Sequence, residues 1–350
     1  MSSQTPRTFT TAAAPHVVGS NRVARVMRLV LYALAPTVIL HVAFFGPGLA
    51  IQILLGATAA LAAEALALRL RRQPLRPFLT DGSALVTAVL LALCLPPLAP
   101  WWLIVSGTAF AILLAKHAYG GLGANPFNPA MVGYAVLLVS FPSRLLLWPA
   151  PSAAGIEHVE LTLTQTLATI LTGAAPDPGW DAITSPTPLE ALRTNLALGM
   201  TMTEAQRTPI FGVLGGKGWE WINLAALAGG VWLLAVRVIR WHIPTAMLGA
   251  IAVCASVMHA LDPGSYAGPV FHLTSGASIL GAFFIATDPI SAATSDRGRL
   301  IYAAGIGVLT YVIRTWGGYP DGVAFAVLIM NACAPLIDRY TIPRIYGHSD

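Results

Sequence analysis

Long apolar runs alternate with short polar connections along most of this chain. Five runs that are long enough, or nearly long enough, to cross a bilayer come first, at residues 27–45, 49–68, 82–98, 101–118 and 128–142. Five more follow a long interruption, at residues 221–239, 243–260, 275–293, 299–315 and 321–337. The pattern predicts an all-α polytopic membrane protein with about ten transmembrane helices in two sets of five.

The interruption between the two sets defines the predicted domain organisation. We expect a cytoplasmic tail, a first five-helix repeat, a long non-spanning segment, a second five-helix repeat and a second cytoplasmic tail. Their predicted boundaries are 1–21, 22–141, 142–220, 221–340 and 341–350, respectively.

Composition agrees with a membrane protein and excludes several classes of function. The chain is 56% hydrophobic and only 10% charged, whereas a soluble domain carries about 25% charged residues. Its three cysteines, Cys94, Cys254 and Cys333, lie in apolar runs without a C-x-x-C pair, so they indicate neither a disulfide framework nor a metal site. No catalytic Ser-His-Asp grouping, metal-ligand cluster or dinucleotide fingerprint is present. We therefore predict no metal site, no catalytic residue and no nucleic-acid partner.

The distribution of basic residues predicts the orientation. With a cytoplasmic N-terminus, most of the 20 Lys and Arg residues fall on the inner side, as the positive-inside rule requires. The exceptions on the outer side are Arg144, Arg193, Arg207, Lys217 and Arg314. Six tryptophans fall near predicted outer boundaries, where an aromatic belt is expected: Trp101, Trp102, Trp148, Trp219, Trp221 and Trp316. The segment 142–220 is therefore expected to face outward.

An internal repeat relates the third span to the eighth. Residues 79–92, LTDGSALVTAVLLA, align without gaps to residues 273–286, LTSGASILGAFFIA. Because each half has five spans, the two copies must point in opposite directions across the membrane. Inverted repeats with short, glycine-opened helices usually place a site near the bilayer midplane. A chance match between two apolar sequences is the alternative.

The stretch TSPTPLE at residues 184–190 has the pattern of a helix start. Thr187 is the predicted N-cap, Pro188 occupies the first helical position, and Glu190 completes a capping box. Leu189, Leu192 and Leu196 then form an apolar face, and Gly199 is the predicted stop. A helix N-terminus also suits a phosphate group, because its N–H groups are unpaired and its dipole is positive.

A few polar residues interrupt the apolar runs, and each has a structural and a functional interpretation. Asn125 and Asn128 belong to two Asn-Pro pairs, which indicate either a simple turn or hydrogen bonds to a ligand where the helix is open. Asp288 is either a boundary residue near Arg297 and Arg299 or part of a wet cavity. The isolated Glu64 and His41 are candidates for a proton or cation relay, or for ordinary structural contacts.

Three stretches carry a resemblance to a known family over nearly the whole chain. They are GGLGANPFNPAMVGYA, TSPTPLEALR and ATDPISAATSDRGRLIYAAGIGVLTYVIRTWGGYPDGVAFAVLIMNACAPLIDRY. The chain resembles the D subunits of Rnf complexes, which are bacterial ion-translocating ferredoxin:NAD oxidoreductases. It is similar, more distantly, to the B subunit of the sodium-pumping NADH:quinone reductase.

The resemblance implies two flavins and a fold. In that family an FMN is joined through its phosphate to a threonine just before a Pro-Leu step, which corresponds here to Thr187 with Pro188 and Leu189. The residue at 186 is proline, after Ser185, where relatives often have a small residue. A second, non-covalent flavin of the riboflavin type is implied within the spans, and we place it near Asn125, Asn128 and Asp288. The implied fold is that of the urea and ammonium transporters.

The resemblance also implies partners and a location. A separate flavin transferase attaches the FMN, and other Rnf subunits supply iron–sulfur centres, the NAD site and another flavin. The chain is expected in the bacterial inner membrane, among membrane lipids, with cytoplasmic termini and Thr187 in the periplasm. Electron transfer between ferredoxin and NAD chemistry is then coupled to Na⁺ or H⁺ movement. Two alternatives stay open: a solute channel of the urea or ammonium class, and a purely structural membrane anchor.

Overall fold

The fold is helical throughout the part of the chain that the structure describes. This computed structural model describes residues 21–153, 155–319 and 321–341. The predicted tails at 1–21 and 341–350 therefore lie, apart from Asn21 and Thr341, outside the described residues. Extended pairing within those ranges is limited to two isolated bridges, between Pro149 and Thr184 and between Phe211 and Gly216.

The first five predicted spans all coincide with helical segments. The third is interrupted and the fourth ends in a π-helical stretch, Phe110–His117. In chain order the α-helices are α1 Asn21–Phe45, α2 Gly48–Leu70, α3 Leu75–Leu79, α4 Ser83–Cys94, α5 Trp101–Ala109 and α6 Pro129–Ser140.

The long segment consists of five short helices joined by loops. They are α7 Pro142–Leu145, α8 Leu163–Thr172, α9 Trp180–Ile183, α10 Pro188–Ala197 and α11 Met202–Ala205. The helix predicted after TSPTPLE is α10, so its start at Pro188 is confirmed.

The last five predicted spans again coincide with helical segments, and the eighth is interrupted. A π-helical stretch, Gly281–Ile285, completes that span. The α-helices are α12 Trp219–Ala235, α13 His242–Leu261, α14 Pro269–Thr274, α15 Ser278–Leu280, α16 Asp296–Trp316 and α17 Val323–Thr341.

Several of these helices are suited to a membrane by length and composition. Within the described ranges, five are long and apolar enough to cross a bilayer: Val23–Phe45, Gly48–Leu70, Leu75–Cys94, His242–Leu261 and Val323–Thr341. Three shorter apolar helices accompany them, at Trp101–His117, Pro129–Ser140 and Trp219–Ala235. A polytopic membrane protein is consistent with this architecture, and the number of ten spans stays a prediction.

The third and eighth predicted spans are broken at the same aligned position. Gly82 ends the break between α3 and α4 with φ +81°, and Gly276 lies between α14 and α15 with φ +62°. Both dihedrals fall in the left-handed region, which residues with a Cβ rarely adopt. The two glycines that the alignment paired are thus required by the same local geometry.

Helices from the two halves pack against each other in matching pairs. The first span of each half, α1 and α12, are in contact, and so are the fifth spans, α6 and α17. Within the halves, α2 packs on α4 and α5, while α13 packs on α14 and α16. One large apolar cluster, including Leu91, Met131 and Phe284, joins residues of both halves.

The contact between α1 and α12 depends on a small residue. A Cβ atom on Gly229 of α12 would overlap the backbone carbonyl oxygen of Ala33 on α1. A Cβ on Gly249 of α13, in contrast, would meet no atom within 4 Å. The two glycines therefore form a matched pair for testing this packing.

We expect Gly229→Val to lower the free energy of unfolding by about 1–3 kcal/mol or more, because overpacking forces the helix backbones apart. Thermal unfolding of the purified full chain in detergent measures this as a lower apparent Tm. Gly249→Val is the control and should leave the Tm nearly unchanged. Equal Tm values for the two variants would contradict the close packing of α1 on α12.

Candidate functional site

The residues before Thr187 are held beside Trp148 by extended pairing. The Ala150 N–H donates to the Ile183 carbonyl oxygen at 2.8 Å, and the Ser185 N–H donates to the Trp148 carbonyl oxygen at 2.9 Å. These two bonds run alongside the bridge between residues 149 and 184. Ser185, which the sequence analysis placed in the motif, thereby fixes the approach of the chain to Thr187.

Thr187 is the N-cap of α10, as predicted. Its φ and ψ are −66° and 157°, and its hydroxyl oxygen accepts a hydrogen bond from the Glu190 N–H at 3.4 Å. Burial raises the pKa of the Glu190 carboxyl, although the Thr187 backbone N–H and the charge of Arg193 oppose the shift. The acidic side chain nearest the Thr187 hydroxyl is therefore easier to protonate than an exposed glutamate.

The far end of α10 also follows the prediction. Gly199 has φ +84°, and its N–H donates to the Leu196 carbonyl oxygen at 3.0 Å while the Met200 N–H donates to Asn195 at 3.1 Å. This pair of bonds is a Schellman motif. The helix packs Leu189, Ala191, Leu192 and Leu196 onto a small apolar cluster that includes Phe271 of α14. The Thr187 helix is thus anchored on the broken eighth span.

A cavity extends from Thr187 into the helix bundle, and we call it the Thr187 cavity. Its volume is about 1010 Å³, counted to its open mouth. Thr187, Pro188 and Leu189 form part of its wall. The remaining lining residues come from the helices of both halves: Thr37, His41, Leu93, Cys94, Met131, Tyr134, Leu145, Trp148, Trp219, Ile222, Asn223, Ala226, Gly276, Ala277, Leu280, Ile285, Asp321, Val323 and Ala324.

Aromatic rings cover one side of the Thr187 cavity. The ring centroids of Trp148 and Trp219 are 4.9 Å apart, and those of Phe45 and Trp219 are also 4.9 Å apart. The imidazole of His41 lies against Phe45 at 4.8 Å. Trp148 and Trp219, which were predicted to belong to an interfacial belt, are half-buried in this cluster, and the belt itself stays a prediction. Trp101, Trp221 and Trp316 are exposed, as a belt requires.

An ion pair between Arg314 and Asp321 supports the wall of the Thr187 cavity. Arg314 donates to Asp321 through Nε at 2.7 Å and through Nη2 at 3.0 Å, and its Nη1 donates to Ser278 Oγ at 2.7 Å. The Asp321 carboxylate also accepts from the Ala277 N–H at 2.7 Å. Arg314, which the sequence analysis placed on the outer side, lies in the last turn of α16 and is only 6% exposed. The burial arises because its guanidinium satisfies the open backbone and side chains of the broken span.

The second group of predicted site residues surrounds a different cavity, which we call the Asn128 cavity. Asn125, Asn128 and Asp288 all line it, together with Lys116, Arg240 and Arg299. Its volume is about 1320 Å³ to its open mouth. The three residues that the resemblance suggested for a second flavin therefore line one cavity, although Asp288 is 160 residues beyond Asn128 in the sequence.

The two asparagines differ in how many of their polar side-chain atoms already have a hydrogen-bond partner in the protein. The Asn128 Oδ1 atom accepts from the Met131 N–H at the start of α6, and its Nδ2 donates to the Ile285 carbonyl oxygen at 3.2 Å. The Asn128 backbone N–H donates to Asn331 Oδ1 at 3.0 Å. The Asn125 Oδ1 atom, in contrast, is buried and has no hydrogen-bond partner in the described structure. Asn125 is thus the better placed of the two to bind a ligand.

Asp288 interacts with its own turn rather than with a nearby arginine. Its carboxylate accepts from the Ile290 N–H at 3.3 Å and from Ser291 Oγ at 3.0 Å. Arg299, which the sequence analysis considered as its neighbour, pairs with Asp296 at 2.8 Å instead. Asp288 and Arg299 nevertheless face the same cavity.

Sequence reasoning missed the network that surrounds Glu64. Glu64 is fully buried and forms an ion pair with Lys116, and its Oε1 lies 3.4 Å from His117 Nε2. Lys116 Nζ also donates to Ser83 Oγ at 2.7 Å, and that hydroxyl donates to Asp81 at 2.6 Å. Glu64 is therefore not isolated. The signal for this pairing was an acid in the second apolar run and a base in the fourth, because intramembrane charges usually pair.

The Glu64–Lys116 pair should carry a large part of the local stability. We expect Glu64→Gln to lower the free energy of unfolding by about 3–5 kcal/mol, because the Lys116 charge is then left buried without its partner. The double variant Glu64→Gln/Lys116→Met should recover most of this loss. Thermal unfolding of the full chain in detergent gives the comparison.

Asp296→Asn supplies the control for this prediction. It weakens the contacts of Asp296 with Arg240 and Arg299, and the aspartate side chain is itself 56% exposed. Exposed ion pairs contribute little, so no resolved change in Tm is expected. A Glu64→Gln variant as stable as Asp296→Asn would show that the buried pair does not support the fold.

Similar proteins identify the family to which this chain belongs. The sequence profile of the NQR2, RnfD, RnfE family matches residues 10–347. A protein of Escherichia fergusonii is 50% identical over 349 residues, covering 97% of this chain and 99% of the relative. Proteins of Vibrio vulnificus and Vibrio cholerae are 49% and 50% identical with the same coverage. Each of these relatives is named as the D subunit of an ion-translocating oxidoreductase complex. With nearly the whole chain matched, this protein belongs to the NQR2, RnfD, RnfE family.

Proposed function

We propose that this chain is the membrane subunit of an ion-translocating oxidoreductase complex that carries electrons through an FMN joined by its phosphate to Thr187. The name shared by its relatives supports membership of such a complex. The position of Thr187 in the wall of a cavity lined by residues of both halves is the single observation that carries the flavin assignment.

The geometry of Thr187 fits a phosphate ester. In the described part of the chain, its hydroxyl oxygen accepts one hydrogen bond and donates none. An ester that replaces the hydroxyl proton therefore breaks no donated hydrogen bond. The phosphate would lie at the N-terminus of α10, where backbone N–H groups and the helix dipole favour an anion.

The walls of the Thr187 cavity fit the flavin ring as well as its phosphate. Trp148 and Trp219 provide aromatic surface, and polar side chains from α1 and α12 reach the same space. When bound, a flavin supplies one- and two-electron transfer, whereas the protein binds and orients it. Electron entry and exit require further cofactors, which we assign to partner subunits that hold iron–sulfur centres, the NAD site and another flavin.

The Asn128 cavity is our proposed site for a second, non-covalent flavin of the riboflavin type. The unpartnered Asn125 Oδ1 offers an acceptor, and Asp288 faces the same space. Lys116 also lines this cavity and offers positive charge to an electron-rich ring. Apolar residues such as Phe283 and Phe284 complete the lining.

The two cavities lie at opposite ends of the same helices. On α1, Met27 lines the Asn128 cavity and His41 lines the Thr187 cavity. Met27 and His41 are 14 positions apart, a rise of about 21 Å, whereas the nearest lining residues of the two cavities on α1, Val30 and Thr37, are seven positions apart, about 10 Å; the hydrocarbon core is about 30 Å thick. With a flavin in each cavity, electrons would cross the membrane in shorter steps than with a single flavin.

This arrangement supports the finer points of topology that we propose. The matching contacts of α1 with α12 and of α6 with α17 are those expected of two inverted five-helix repeats with ten spans. We place both termini in the cytoplasm of a bacterium and Thr187 in the periplasm, with the chain in the inner membrane. A flavin transferase acting at that face attaches the FMN, and ion movement of Na⁺ or H⁺ is coupled within the whole complex.

A solute channel is the main rival, and one observation weighs against it. A channel needs a continuous pore, whereas in the described ranges the two cavities share no lining residue. Asp321, which is held by a bidentate pair with Arg314, also forms part of the wall of the Thr187 cavity. A purely structural anchor would leave both cavities without a ligand.

Flavin attachment gives a direct test. The full chain, produced in a host with its flavin transferase, should give a yellow band that fluoresces under ultraviolet light on a denaturing gel. Thr187→Ala should lose this band completely, since no other side chain holds the phosphate. Mass spectrometry of the peptide containing Thr187 should show the added mass of FMN.

Thr201→Ala is the matched control, because Thr201 is also an N-cap threonine of the long segment. Losing that cap costs about 1 kcal/mol, but the fluorescent band should remain. A matured chain whose Thr187 peptide carries no added mass would overturn the covalent assignment.

A further inference from the structure

Two buried polar side chains in the Thr187 cavity lack any partner in the described part of the protein. Thr37 and His41 are 2% and 1% exposed, and Thr37 Oγ1, His41 Nδ1 and His41 Nε2 make no hydrogen bond there. Buried polar groups are nearly always hydrogen-bonded, because leaving one unpaired costs free energy. Three such atoms facing one cavity therefore point to a ligand.

Both side chains lie on the same face of α1. They are four residues apart, so their side chains are neighbours one helical turn apart. Both line the Thr187 cavity. The cavity thus has a polar strip on α1 beside its aromatic surface.

Asn223 and Asp321, two other polar residues of the cavity, already have protein partners. Asn223 Nδ2 donates to the carbonyl oxygens of Trp219 and Thr274 at 3.1 and 2.9 Å. Asp321 is bound by Arg314 and by the Ala277 N–H. Thr37 and His41 remain available to a ligand, whereas Asn223 and Asp321 are occupied in holding the broken span.

The aromatic cluster indicates the shape of that ligand. His41 packs edge-on to Trp219 with ring centroids 6.3 Å apart, and Trp148 lies 6.1 Å from His41. Trp148 is tied to the stretch before Thr187 through its carbonyl oxygen. Aromatic side chains favour stacked or edge-to-face contact with another flat ring, and the polar strip suits a ring with polar atoms along one edge.

We propose that Thr37 and His41 form hydrogen bonds to the polar pyrimidine edge of the flavin ring carried by Thr187, with Trp148 and Trp219 packed against that ring. This inference rests on the covalent flavin proposed above. The two residues are positioning and tuning residues, since an N–H or O–H donor there stabilises the electron-rich reduced ring more than the oxidised ring. Thr187 holds the phosphate end of the flavin, and the two residues of α1 hold its ring.

The redox equilibrium of the covalent flavin tests this role. The full chain with the flavin attached is held at a fixed potential, and its absorption spectrum is recorded. Subtracting the spectrum of the Thr187→Ala variant leaves the spectrum of the covalent flavin. His41→Phe should keep the fluorescent band but lower the ratio of reduced to oxidised flavin about tenfold, which is about 30 mV for a two-electron couple. Thr37→Val should shift the ratio in the same direction, and the visible absorption band should move in both variants.

Two substitutions outside the cavity serve as matched controls. Thr310 and His272 are also buried and carry an unpartnered polar atom, but neither lines the Thr187 cavity. Thr310→Val and His272→Phe should leave the ratio and the spectrum unchanged. His41→Gln keeps a hydrogen-bond donor and should lie close to the unsubstituted chain.

The possible failures are distinguishable. If the unsubstituted chain has no fluorescent band, the covalent flavin itself is refuted and this inference falls with it. If the band persists while His41→Phe and Thr37→Val both keep the original ratio and spectrum, the flavin stands and the role of α1 is refuted. If His41→Phe does not fold, the result for Thr37→Val decides, because removing one hydroxyl leaves the aromatic cluster intact.

Discussion

Polar groups inside a bilayer must find partners within the protein, and the two broken spans meet this requirement in the same way. Lys116 donates to Ser83 at the start of α4, and Arg314 donates to Ser278 at the start of α15, each at 2.7 Å. Each cation is balanced by an acid, Glu64 for Lys116 and Asp321 for Arg314. Intramembrane charges usually pair with one another, and removing either acid would leave its buried base without an ionic partner. The pairs therefore make the helix breaks possible.

The breaks in turn create the space for ligands. A continuous helix would fill the bundle with side chains, whereas α4 and α15 begin partway along their spans and leave room beyond their ends. The Asn128 cavity includes Ser83 at the start of α4, and the Thr187 cavity includes Gly276 and Ala277 before α15. Each half thus contains one helix break that borders a cavity, and the two cavities lie at opposite ends of the bundle.

Local rules allowed the sequence to predict much of this architecture. Thr187 as N-cap and Gly199 as stop were predicted from residue types within one helical turn, where capping physics is decisive. The internal repeat likewise indicated short helices that open at a glycine in the third and eighth spans, and Gly82 and Gly276 lie at the breaks there. The partner of Glu64 was missed because Lys116 is 52 residues away, and no local pattern encodes such a distance. The contact between Trp148 and Trp219 was missed for a related reason: a tryptophan near a boundary has the same local sequence whether or not it also lines a cavity.

The long segment packs tightly against the break in the eighth span. A Cβ on Gly216 would overlap the Pro188 ring, and one on Gly276 would come within 2.6 Å of Leu189 Cδ1. The two residues that follow Thr187 are therefore pressed between the 210–218 turn and the eighth span. The N-terminus of α10 therefore packs directly against the eighth span at its break, and Thr187, Gly276 and Asp321 line one cavity. The close approach explains why Gly276 is needed there beyond its positive φ, since a side chain would displace Leu189.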